Sequence, residues 1–381
     1  MVDTSNPPLP IHPRAGTRRS AGRILIAGGG TGGHLMPALA IADALREYDS
    51  SLEPVLVGAV RGVEARILPT REYRFHLLPS EPIYRRAWWN NIKWPFVAGR
   101  LLREIGRLFD TEGPAAVLGT GGYASGPVVW WAARHGIPTA IQEQNAYPGL
   151  ATRWLSRRVR HVYLGLPEAR RLLRFGAHTQ VFDTGNPIVP PSPERREAAR
   201  RKFGLSIGRP VVLVTGGSQG ALALNLAVAG WLTDGGPGEA ELIWVTGRAT
   251  YPQFERYQSG SVRVVDFLDP MADAYAVADL VVSRAGMITV AELCAWGLPS
   301  ILIPLPTAAA DHQSHNARVL ADAGACYLLP QPELTAERLR KEILHLLSDQ
   351  SARSQMAQRA RSRGRPNSAR EIVSKLLTLT E

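Results

Sequence analysis

Each half of the chain opens with the same construction: a short apolar strand, a glycine-rich turn and a helix. That repeat constrains the fold more than any other feature. In the first half the apolar run at 24–27 leads into the loop GGGTGGH at 28–34, after which Leu35, Leu39, Ala42 and Leu45 recur at helical spacing. In the second half a run at 210–215 leads into GGSQG at 216–220, and helical spacing follows from Ala221. Strands apolar on both faces belong to parallel sheets covered by helices on each side. Two such openings in 381 residues call for two Rossmann-like domains instead of one large sheet. Further strands are expected at 55–58, 117–119, 242–245, 262–265, 280–283 and 300–303. The GNP turn at 185–187, followed by a Pro-rich charged stretch to Arg201, marks the boundary. The expected division is a disordered leader at 1–22, a first domain at 23–186 and a second at 187–366, with a helix at about 367–381 packing back on the first.

A glycine turn at the start of a helix lets backbone N–H groups approach phosphate oxygens, where the helix dipole also favours negative charge. A third such loop, TGGYASG at 120–126, follows the strand at 117–119. The first loop is not a clean GxGxxG with an acid about twenty residues on, although Glu47 and Asp49 lie near that position, so a dinucleotide enzyme is disfavoured. Three loops over two half-chains fit a large, partly anionic ligand pair held between domains. The net charge of +11 agrees with an anionic partner without naming it. No nucleic-acid-binding motif accompanies it. Two cysteines without metal-ligand or CxxC spacing fit a reducing compartment, and the Pro-, Ser- and Arg-rich N-terminus lacks the apolar core of a secretory signal.

Seven motifs stand in order: GGTGGH (29–34), GTGGYASGP (119–127), EQN (143–145), GNP (185–187), GGSQGA (216–221), RAGMITVAE (284–292) and DHQ (311–313). Together, from about Arg23 to the C-terminus, they closely resemble the MurG family of N-acetylglucosaminyltransferases, which complete the disaccharide of the lipid-linked peptidoglycan precursor. The resemblance implies an α/β GT-B fold, two Rossmann-like domains facing each other across a cleft. It also implies UDP-N-acetylglucosamine (UDP-GlcNAc) as donor and undecaprenyl-diphosphate-linked muramoyl-pentapeptide as acceptor. The nearest alternative is another GT-B enzyme of UDP-sugars, of the lipid disaccharide synthase or epimerase type.

The resemblance also distributes roles. Ser218, Gln219 and Gly220 suit the donor diphosphate at a helix N-terminus. Leu268 matches the position whose backbone recognises uracil, Met287, Ile288 and Thr289 lead into the donor helix, and the Glu292 carboxylate accepts the ribose hydroxyls. Gln313 is matched to the GlcNAc hydroxyls and Asn145 to a contact from the first domain. The stretches Gly29 to Gly33, with Thr31, Gly32 and Gly33, and Gly119 to Gly126 face the acceptor diphosphate and the reacting sugars, with Tyr123 as an acceptor contact. His34 titrates near neutrality and is the candidate base for the acceptor hydroxyl, though its ring is equally suited to holding phosphate or capping the helix. No DxD metal motif occurs in the chain, so no cofactor or essential divalent cation is expected. Two positions depart from the family pattern: Val189 stands where an Arg commonly follows GNP, and Gln142 where a His precedes EQN.

A lipid-linked acceptor requires a membrane. Trp88, Trp89, Trp94 and Phe96 stand beside Arg85, Arg86 and Lys93, and Leu101, Leu102, Ile105, Leu108 and Phe109 follow at helical spacing. Aromatics with cations suit an anionic headgroup interface. The expected arrangement puts the apolar stripe in the core and the Trp/Arg segment on the lipid, at the cytoplasmic face of the bacterial membrane, with contacts to other cell-wall synthesis proteins.

Overall fold

The computed structural model describes residues 22–81, 94–217 and 220–380, with side chains left out at 94–96. The expected leader up to residue 21, the calls on Arg85, Arg86, Trp88, Trp89, Lys93, Ser218 and Gln219, and those on the side chains of Trp94 and Phe96, lie outside the described residues.

The first sheet holds seven strands: β1 (Arg23–Gly28), β2 (Glu53–Ala59), β3 (Arg74–Leu78), β4 (Ala116–Gly121), β5 (Thr139–Glu143), β6 (His161–Leu164) and β7 (Gln180–Phe182). Their order is β3-β2-β1-β4-β5-β6-β7, all parallel. The second holds β8 (Val211–Thr215), β9 (Glu241–Val245), β10 (Val262–Val265), β11 (Leu280–Ser283), β12 (Ser300–Leu302) and β13 (Tyr327–Leu328). Its order is β10-β9-β8-β11-β12-β13, again all parallel. Strand order reverses beside β1 in the first sheet and beside β8 in the second. Loops leaving neighbouring strands there turn to opposite faces and open a crevice at the carboxyl ends. The four loops at these two crevices follow β1, β4, β8 and β11, and all four carry motifs named above.

Burial explains why these segments became strands. Ile24, Leu25, Ile26 and Ala27 are fully buried, as are Val211, Val212, Leu213 and Val214. Each domain has a core on both faces of its sheet. In the helix Trp94–Glu112, Leu101, Ile105, Leu108 and Phe109 are buried, while Arg100, Arg103 and Arg107 are exposed. The apolar stripe of that helix therefore belongs to its own domain. No helix among the described residues is long and apolar enough to cross a membrane.

The chain crosses between domains twice. The helix Gln350–Arg363 places Ala360 in the second core, whereas Ser368–Leu377 buries Ile372, Val373 and Leu376 in the first, against the helix Gly32–Tyr48. The two crossings touch: a Cβ at Gly185 would fall 2.4 Å from the Arg365 Cβ. Arg363 reaches Glu168 of the first domain at 2.6 Å beside this junction.

Candidate active site

The wall contributed by the first domain consists of two interlocked loops. Gly29 N–H donates to Gly121 O at 3.3 Å, and the Thr120 hydroxyl donates to His34 O at 2.9 Å. Gly122 takes φ of +84°, and a Cβ there would lie 1.8 Å from Gly29 O, so only glycine permits the approach. The Tyr123 ring lies over Gly30, whose added Cβ would sit 2.6 Å from its Cε1. These contacts bring Thr31, His34 and Tyr123 to the mouth of one crevice. Thr31 Oγ1 is 3.1 Å from His34 Nδ1. Withdrawal from water, and then the His312 imidazole of the other domain, push the His34 pKa down to about 4, against a smaller upward pull from Gly29. The ring keeps partial solvent access and is neutral at pH 7.

The second domain supplies the opposite wall. Its glycine loop turns through left-handed Gly217 and Gly220, and the helix Leu222–Thr233 begins with no side-chain cap, as does Met287–Trp296 after β11. Two uncapped helix N-termini thus meet at one crevice, with amide donors lacking an intrahelical partner. Met287 is buried, whereas Ile288, Thr289 and Leu268 are part-buried at its rim. Glu292, one turn further along the helix, is part-buried and accepts from the Tyr275 hydroxyl at 2.9 Å. Burial raises its pKa to about 7, with the Tyr275 bond opposing the rise. Gln313 is oriented by its carboxamide oxygen, which accepts Leu305 N–H at 3.0 Å.

Asparagines join the walls. Asn316 is fully buried; its Oδ1 accepts Ala146 N–H at 3.0 Å, and its Nδ2 donates to Asn145 Oδ1 at 3.1 Å and to Ala285 O at 3.3 Å. The Asn145 side chain is thus engaged across the cleft. Its own N–H and Nδ2 donate to Glu143 at 3.0 and 3.2 Å. Tyr147 stacks on His315 beside this bridge, with centroids 4.9 Å apart.

Sequence comparison gives this architecture a family. Residues 24–164 match the glycosyltransferase family 28 N-terminal domain, and residues 211–373 match its C-terminal domain. A protein from Desulforamulus reducens is 38% identical over 364 residues, covering 92% of this chain and 97% of that protein. One from Chlorobaculum parvum is 39% identical over 368 residues, covering 94% and 100%. Both are named UDP-N-acetylglucosamine--N-acetylmuramyl-(pentapeptide) pyrophosphoryl-undecaprenol N-acetylglucosamine transferase. The chain belongs to the MurG family of glycosyltransferases. The crystal structure of Acinetobacter baumannii MurG superposes with a TM-score of 0.75 at 28% identity, covering 94% of this chain and 99% of that one.

Within this MurG-family chain, four site residues escaped the motif reading. Asn316, Tyr275 and Glu64 lie outside the seven motifs. Arg284 is inside one but had no role; it is buried and donates to Ile303 O at 3.1 Å, Pro304 O at 3.3 Å and Gln331 Oε1 at 2.7 Å. Its guanidinium meets carbonyls and no carboxylate in those bonds, and burial lowers its pKa. It leaves positive charge beneath the second crevice. Gln142, where the family commonly has His, donates to Asn186 Oδ1 at 2.8 Å and pairs with Gln144, so it sits in a satisfied buried amide chain. Val189 is 70% exposed and offers no polar group in place of the family's Arg. Among the described residues, no group of three or more His, Cys, Asp or Glu is placed to hold a metal ion.

Tyr275 gives a first prediction. Its hydroxyl stabilises the ionised Glu292, so Tyr275→Phe is expected to raise the Glu292 pKa above about 7. If that carboxylate binds donor, the pH below which UDP-GlcNAc affinity declines shifts upward in the variant. Calorimetry from pH 5.5 to 8.5 measures it, and an unmoved profile would remove the Tyr275–Glu292 pair from donor binding.

Proposed function

We propose that this chain transfers N-acetylglucosamine from UDP-GlcNAc to the 4-hydroxyl of an undecaprenyl-diphosphate-linked muramoyl-pentapeptide, with inversion at the anomeric carbon. The observation carrying the proposal is the full-length likeness to relatives of 38 and 39% identity that bear this one activity in their names. The geometry supports it chemically. A donor diphosphate lies along the uncapped N-termini of the helices Leu222–Thr233 and Met287–Trp296, above the buried Arg284. The ribose hydroxyls donate to Glu292, and Gln313 orients the sugar.

The acceptor oxygen attacks the anomeric carbon as the bond to the UDP oxygen breaks, and His34 takes the hydroxyl proton. For Nε2 to accept it, Nδ1 carries hydrogen and donates to Thr31 Oγ1, the neighbour at 3.1 Å. Backbone amides and helix dipoles take up the charge of the departing diphosphate, so no divalent cation is required in this reading.

The lipid of the acceptor places the first domain against an anionic cytoplasmic membrane surface. Beside the Asn145 loop, on the helix Leu150–Leu155, Leu150 is 53% and Trp154 48% exposed. Trp154 stacks on Trp130 at 6.5 Å and carries the Arg158 guanidinium 4.7 Å above its ring. Aromatic faces capped by cations suit a headgroup layer.

Turnover with UDP-GlcNAc and an acceptor analogue bearing a short soluble tail tests the function. The expected product is the β-1,4-linked disaccharide with release of UDP. No product from folded protein that binds UDP-GlcNAc would reject the assignment.

A further inference from the structure

The glycine loops opening the two domains are alike in sequence but unequal in space. In the loop that opens the second domain, a Cβ at Gly216 or Gly220 would fall 2.4 Å from the backbone of Ala221 or Thr246, and one at Gly217 would meet no heavy atom of the described residues within 4 Å; no carboxylate enters that loop among the described residues. In the first domain, a Cβ at Gly29, Gly58 or Gly62 would fall 2.1, 2.3 or 2.1 Å from the Glu64 side chain. These glycines form a cradle, and the Glu64 carboxylate fills it. Glu64 is fully buried; both its oxygens accept Gly30 N–H at 2.9 Å, and Oε1 also accepts Ala59 N–H at 2.8 Å. To a backbone amide, a carboxylate offers what a phosphate offers: anionic oxygen. Glu64 stands just past the end of β2, the side from which the acid of a dinucleotide-binding fold reaches a ribose. Here the acid turns inward onto the loop.

We propose that Glu64 is a built-in anion occupying the deep phosphate position of the N-terminal glycine loop, and that it decides which diphosphate this domain accepts. A nucleoside diphosphate seated deep in the loop would find the Gly30 amide taken and a like charge in its place. The outer end of the loop is still open. Among the described residues, a Cβ at Gly32 would meet nothing within 4 Å, one at Gly33 only Thr31 Oγ1 at 3.7 Å, and the N-cap Thr31 makes no side-chain capping bond. A lipid-linked diphosphate entering at the helix N-terminus binds there, beside Thr31 and His34, while UDP is confined to the second domain. Glu64 touches no substrate and is a positioning residue that sets specificity. The identity of the acceptor rests on the functional reading above; the behaviour of the loop does not.

The test is calorimetric titration of inorganic pyrophosphate into the full chain with the second domain saturated by UDP. Glu64→Gln keeps an acceptor oxygen for Ala59 N–H but removes the charge, and is expected to tighten pyrophosphate binding by about tenfold or more over wild type. Glu64→Asp keeps the charge and is expected to stay within about threefold of wild type. In turnover with free pyrophosphate present, Glu64→Gln raises the apparent acceptor KM, because pyrophosphate now competes for the loop, and leaves the donor KM unchanged. Equal pyrophosphate affinity in folded wild type, Gln and Asp proteins, or a loss of kcat with neither KM moved, overturns the proposal. If the Gln variant does not fold, wild-type product inhibition decides. UDP competitive against donor but not against acceptor supports the plug, and UDP competitive against acceptor overturns it. Absence of GlcNAc transfer by wild type would defeat the functional reading, yet the pyrophosphate titration would still report on Glu64.

Discussion

Replacing Glu292 with alanine is expected to weaken UDP-GlcNAc binding by about a hundredfold and to change thermal stability little. Two hydroxyls donating to one carboxylate contribute about 1.5 kcal/mol each at the low end for charged partners, so about 3 kcal/mol is lost, or two decades in Kd. The stability effect is smaller because two changes oppose each other: Tyr275 loses its acceptor, but an unfavourably buried carboxyl is removed. A shift of Tm within about 4 °C follows. The pH dependence has a definite sign. The folded-state pKa of about 7 lies above the ordinary 4.5, so the free protein holds a proton on Glu292 below neutrality. Its stabilisation of the fold is complete below about 4.5 and is lost as pH rises through about 7. Donor binding runs the other way. The hydroxyls need the ionised acceptor, so UDP-GlcNAc affinity is expected to fall by about tenfold per pH unit below 7 and to level off above it. Calorimetry with proton-release measurement checks both, and a flat profile from pH 5.5 to 8.5 with an unaffected alanine variant would take Glu292 out of the donor site.

The doubly wound core could be read from sequence because its central strands are buried on both faces and therefore uniformly apolar. The runs at 24–27, 211–215 and 242–245 are fully or nearly fully buried. The remaining strands carry less signal for physical reasons. β5 ends in Gln142 and Glu143, whose polar groups are buried only because Asn186, Asn145 and Gly149 answer them. β7 and β13 are sheet edges of three and two residues, too short for any periodicity. The site divides in the same way. Glycine loops are legible because their chemistry lies in consecutive residues. Glu64, Tyr275 and Asn316 are ordinary polar residues until folding brings Gly30, Glu292 and Ala146 to them across 34, 17 and 170 positions. Glu64 also corrects the first loop as read from sequence. Of the stretch 29–33 expected to face diphosphate, Gly30 has already spent its amide internally.

Replacing His34 with alanine is expected to lower kcat by about a hundredfold to ten-thousandfold, the usual range for a general base, while leaving UDP-GlcNAc affinity unchanged. The affinity is spared because the loops proposed to hold the donor belong to the other domain. With its pKa pushed down to about 4, His34 is fully in its basic form at pH 7, but its proton affinity is low for the task. In the proposed reaction, an acceptor diphosphate at Gly32 and Gly33 would correct this by placing negative charge near a ring that withdrawal from water and His312 had disfavoured for protonation. The expected signature is a split between states. In the free protein the His34 resonances titrate near 4 by NMR, and the acid limb of kcat/KM near 7 belongs to Glu292. With an acceptor analogue bound, the His34 midpoint moves up toward neutrality. Thr31→Val removes the partner that holds Nδ1 protonated and is expected to lower kcat without altering donor binding. If instead His34→Ala raises the acceptor KM with kcat intact, the imidazole holds the diphosphate and the proton leaves by another route.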